Sequence, residues 1–83
     1  MDRSMIEQHL AIAERHVADG ERIISRQRDL IYRLEADGHL RLAARAKDLL
    51  VQFEAFEAMH IADRDRLRSI LEKHRAILEK YRG

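Results

Sequence analysis

The sequence predicts an all-α fold, a long antiparallel helical hairpin that dimerises into a four-helix bundle. Three observations carry that expectation. Ala, Glu, Lys, Leu and Arg make up just over half of the 83 residues, while Pro, Cys, Thr, Asn and Trp are absent. That is the composition of long helices and coiled coils. Apolar residues also recur in alternating steps of four and three along most of the chain, the period of a helix with one buried face. Finally, this rhythm slips once, beside Gly38, where the chain is expected to reverse.

The first helix is expected over about 5–36. Ser4-Met5-Ile6-Glu7 fits a capping box, in which the Ser and Glu side chains satisfy backbone N–H groups of the first turn. The stripe then runs Ile6, Leu10, Ala13, Val17, Gly20, Ile24, Gln27, Ile31 and Leu34 without an error of phase. A neighbouring register of His9, His16, Ile23 and Leu30 widens the face. The tripeptide Ala-Asp-Gly occurs at 18–20 and again at 36–38, and Asp-Gly is a turn signal. Because the stripe passes through Gly20 undisturbed, the first copy lies inside the helix, at a cost of about 1 kcal/mol relative to Ala.

At the second copy the phase fails. Continuing it from Leu34 lands on Gly38, Arg41, Arg45, Asp48 and Gln52, a polar series. The stripe restarts instead at Leu42 and proceeds through Ala46, Leu49, Phe53, Phe56, His60, Asp63, Leu67, Ile70, His74, Ile77 and Tyr81. A glycine at such a reset reads as a helix C-terminus. The turn is expected at about 37–39 and the second helix at about 40–81, the whole of 1–83 forming a single domain.

Folding at 37–38 pairs positions whose numbers add to roughly 75. His16 then lies beside His60, and Gly20 faces Phe53 and Phe56 as a packing notch for their rings. The second helix is longer, so residues from about 71 onward are expected to lack a partner within the chain. A chain this small has a marginal core, and without cysteine it has no disulfides to reinforce it. The sequence therefore predicts a homodimer, with Leu67, Ile70, Leu71, His74, Ile77, Leu78 and Tyr81 in the interface.

Charge is dense and balanced, 16 basic against 15 acidic residues, a net of +1. That gives no general attraction to nucleic acid or acidic membranes. No apolar run is long enough for a membrane span or signal peptide, so a cytoplasmic protein is expected. The three serines read as a cap and two surface positions, and the three glycines stand alone rather than in a phosphate-binding loop. No enzyme and no cofactor is expected.

The seam carries polar residues. Glu57, His60 and Asp63 are three apart and share a helix face, and Glu57-Ala58-Met59-His60 matches the Glu-x-x-His pattern of di-metal helical bundles. With His16 they form a candidate set for Zn, Fe or Mn. The simpler reading is hydrogen bonding among His60, Asp63, His16 and Arg15 that fixes register, as buried polar residues do in coiled coils. A third reading is a pH-sensitive histidine cluster. Gln27 is expected to hydrogen-bond across the seam near Asp48. Arg22, Arg26, Arg28, Arg33, Arg41 and Arg45 gather toward the hairpin tip and suggest a nucleic-acid or acidic partner. Glu21, Asp29, Glu35, Asp37 and Asp48 dilute them, and Tyr32 is the one aromatic residue among them.

The pattern His16-Val17, Gly20-Glu21-Arg22, Ile24, Arg26-Gln27-Arg28, Gly38-His39, Leu49-Leu50, Phe53-Glu54, His60, Asp63-Arg64 and Arg66-Leu67 resembles a group of short uncharacterised bacterial helical-hairpin proteins. The likeness covers about 16–67 and implies the hairpin fold; the group carries no activity to transfer. It often has Asp-Thr after Gly-His, where this chain has Leu40-Arg41.

Overall fold

A computed structural model describes residues 2–82. Two helices, α1 (Arg3–Ala36) and α2 (Leu40–Tyr81), fold back on each other as an antiparallel hairpin measuring 67 × 17 × 14 Å. None of the described helices is long and apolar enough to cross a membrane.

The reversal rests on hydrogen bonds that close the end of α1. His39 N donates to Leu34 O at 2.8 Å and Gly38 N to Glu35 O at 3.1 Å. This is the Schellman pattern, which satisfies carbonyls that would otherwise face solvent unpaired. It requires a left-handed residue, and Gly38 supplies it with φ of 79°. α2 then begins at Leu40 after His39, whose side chain makes no capping bond. The turn falls where the hydrophobic phase slips.

α1 starts two residues earlier than its sequence suggests, and Asp2 rather than Ser4 caps it. The Asp2 carboxylate accepts from Met5 N at 2.8 Å. An Asp cap of this kind is worth about 1 kcal/mol. With Asp2 in that role Ser4 enters the helix, and Glu7 is drawn to Arg3 at 2.9 Å instead of back to Ser4.

The expected α1 stripe is the observed one. Ile6, Ala13, Val17, Ile24 and Ile31 are buried, and Leu10, Gly20, Gln27 and Leu34 are half-buried between them. On α2 the covered positions are Ala43, Ala46, Leu50, Phe53, Glu57, His60, Arg64, Leu67, Leu71 and His74. This corrects every second member of the expected stripe by one residue. Leu42, Leu49, Phe56 and Asp63 stand exposed beside the seam, Ile70 is half-buried there, and Ala43, Leu50, Glu57, Arg64 and Leu71 lie in the seam itself. Two helices meet along a narrow line, and small residues such as Ala43, Ala46 and Gly20 let their backbones approach. The larger apolar side chains are left on the flank.

The unpartnered end of α2 is shorter than expected. Leu71 and His74 are half-buried at the level of the first turns of α1, where Ile6 is 2% exposed. Residues 75–82 are exposed throughout. Leu67 is buried within the chain, so it is not available to a partner as the sequence suggested. Ile77, Leu78 and Tyr81 are exposed.

Candidate functional site

Halfway along the hairpin the seam holds an unusual pair. A glycine in mid-helix is unfavourable, and a buried carboxylate is more so. Here each accommodates the other. Glu57 is 6% exposed, and both of its carboxylate oxygens are buried with no hydrogen-bond partner. A Cβ on Gly20 would overlap Glu57 Oε1 and come within 2.7 Å of Cδ and 3.0 Å of Oε2. Gly20 is therefore the space that the Glu57 carboxylate fills. The notch exists as expected, but its direct occupant is this carboxylate rather than a phenylalanine ring.

One turn away, His16 and His60 meet across the seam with ring centres 5.2 Å apart and planes tilted by 53°. This is the juxtaposition expected from the pairing of positions around the turn. His60 is half-buried and His16 exposed. Both histidines, with Gly20, Ile23, Phe53, Phe56, Asp19 and Glu57, line an open hollow of about 310 Å³ on one face of the hairpin. Asp63 lies beside the pair: exposed, it lines an adjoining hollow with His16, His60 and Phe56, and its carboxylate is paired with Arg66 at 2.6 Å. Among the described residues no group of three His, Asp or Glu side chains is placed to hold a metal ion.

The seam holds three further polar residues, Gln27, Arg64 and His74. Gln27 Nε2 donates to the Ala46 carbonyl at 2.8 Å, a bond across the seam two residues from Asp48, as expected, with backbone as the acceptor. Arg64 is half-buried, its stem along the seam and its guanidinium reaching Asp65 at 3.1 Å. His74 is half-buried with Nδ1 out of solvent and unpaired. His9 is exposed.

The two long faces of the hairpin differ in kind. One is bridged by ion pairs between the helices: Glu14 with Arg68 at 4.0 Å, Arg28 with Glu54 at 3.8 Å, and Glu35 with Lys47 at 3.0 Å. On each helix these positions are separated by multiples of seven, so they form one column. Being exposed, each pair adds little stability; the same side also exposes Tyr32, Leu40 and Val51, singly among the charged residues. The opposite face carries Ile12, Ile23 and Leu30 from α1 and Leu42, Leu49, Phe56 and Met59 from α2, each between 39% and 66% exposed. The His16–His60 pair lies in the middle of that apolar face. Sequence reasoning found its components but assigned Leu42, Leu49 and Phe56 to the intramolecular core. The sevenfold spacing of opposite charges on the two helices was the signal that separates the faces.

Of the six arginines toward the tip, Arg22 pairs with Asp19 and Arg28 with Glu54, whereas Arg26, Arg33, Arg41 and Arg45 make no ion pair among the described residues. Compared with protein-family models, curated proteins and solved structures, the chain shows no match.

Proposed function

We propose that this chain is a non-catalytic, self-associating interaction or regulatory module, two copies of which dock through the apolar face to give a four-helix bundle. The observation that supports this reading is the concentration of large exposed apolar side chains on one side of the hairpin, opposite a face bridged by ion pairs. Monomers rarely expose a contiguous patch of this size. Seven or eight such side chains at half exposure amount to roughly 750 Å², close to the roughly 800 Å² per partner of a stable interface. A symmetric dimer applies the same patch to itself, so no second kind of surface is needed. Ile77, exposed seven residues beyond Ile70, would extend this surface toward the end of α2.

Sedimentation equilibrium at tens of micromolar tests the reading. The expected mass is twice the 9.8 kDa of one chain, falling to the single-chain value for Phe56→Lys, which places a charge at the centre of the face. A wild-type mass of one chain would overturn it, and binding of a different protein to this face in preference to itself would replace it.

A further inference from the structure

We infer that dimerisation builds a zinc-type metal site from the His16–His60 pairs of two copies, a site that neither copy contains alone. The inference rests on the self-association proposed above and adds a ligand to it.

The first support is the position of the pair. α2 runs from residue 40 to residue 81, so its midpoint lies between 60 and 61. A two-fold arrangement that overlaps the long helices fully brings the midpoint of one copy to the midpoint of the other. That holds when the tips point in opposite directions, with the dyad crossing the helices at His60. It holds equally when the tips point the same way, because every layer then meets its own copy. In both cases two imidazoles from each chain enter one layer at the middle of the interface.

The second support is spacing. In a tetrahedral site with Zn–N near 2.05 Å, each imidazole ring centre sits about 3.2 Å from the ion, so two ligand rings have centres about 5.2 Å apart. The His16 and His60 ring centres are 5.2 Å apart. The spacing of the pair therefore accommodates a shared ion, and the second copy would supply the two ligands that one chain lacks. Imidazole suits Zn²⁺ and neighbouring divalent transition ions.

The third is Glu57. Its carboxylate, buried and without a hydrogen-bond partner, lies one helical turn before His60 and lines the same hollow as both histidines. Ligand imidazoles commonly donate their second N–H to a carboxylate, which fixes the ring and raises its basicity. Such a role gives the buried acid a use that packing does not.

Sedimentation of the full chain, in chelator and then with stoichiometric Zn²⁺, tests the inference, with elemental analysis after dialysis. The expected result is a dimer that retains one zinc per two chains and whose dissociation constant falls about tenfold or more with the metal. His16→Gln and His60→Gln should each abolish the zinc effect, while His39→Gln, at the turn, should leave it intact. Far-UV circular dichroism of each variant distinguishes ligand loss from unfolding, and exposed His16 is the safer of the two substitutions. A dimer whose affinity is the same with and without zinc overturns the site and leaves self-association standing. Zinc retained by both histidine variants also overturns it. A single-chain mass under both conditions removes self-association and the site together.

Discussion

Gly20 and Glu57 should be energetically coupled, and the sign of the coupling follows from their geometry. Replacing Gly20 by Ala in an isolated helix gains about 1 kcal/mol in propensity. In this hairpin the new methyl would overlap the Glu57 carboxylate, 2.7 Å from Cδ. Overpacking of this kind costs typically about 1–3 kcal/mol, so Gly20→Ala alone should be neutral to about 2 kcal/mol destabilising. With Glu57→Ala in place the obstruction is gone, and Gly20→Ala should recover its gain of about 1 kcal/mol. The coupling in a double-mutant cycle should therefore be about 1–3 kcal/mol. Urea unfolding followed by far-UV circular dichroism measures it, with all four proteins at one concentration because association shifts apparent stability. A coupling below about 0.5 kcal/mol would mean that the carboxylate leaves the seam freely, and the account of Gly20 as its seat would fall.

Other substitutions test the remaining joints. Gly38→Ala should lose about 1–2 kcal/mol although nothing lies within 4 Å of the added methyl, because φ is 79° and the strain is in the backbone alone; Gly38→Asn should lose less. Asp2→Ala should lose about 1 kcal/mol by the same unfolding assay, whereas Ser4→Ala should stay within about 0.5 kcal/mol. The opposite order would restore Ser4 as the cap. Gln27→Ala removes the donor to the Ala46 carbonyl and should cost about 0.5–1.5 kcal/mol, and an unchanged midpoint would show that the bond adds nothing.

Much of this architecture is legible in the residues because α1 and the turn follow local rules without conflict. Every stripe position from Ile6 to Leu34 is covered as expected, and Gly38 adopts the conformation that only glycine takes easily. The meeting of His16 with His60 follows from the turn position by counting alone. α2 was harder to read. Its most hydrophobic series, through Leu42, Leu49 and Phe56, belongs to the flank, and the true seam contains Ala43, Glu57 and Arg64. Hydrophobicity identifies the oiliest side of a helix, whereas a two-helix seam is selected by closeness of approach. Glu57 illustrates the difference. No apolar pattern predicts a buried carboxylate, yet the mid-helix glycine opposite it marks where one fits. Asp2 takes the cap in place of Ser4, and that choice depends on backbone geometry that sequence does not specify.

The claim on which the rest depends is that the face holding Ile23 and Phe56 is covered by another copy of the chain. Isotope-filtered NMR on an equal mixture of labelled and unlabelled protein reads this directly. Contacts between chains should appear at the Ile23 methyls and the Phe56 ring, and be missing around Arg28, Lys47 and Arg68 on the ion-paired side. Contacts confined to the ion-paired side, or none between chains at concentrations well above the sedimentation range, would contradict it.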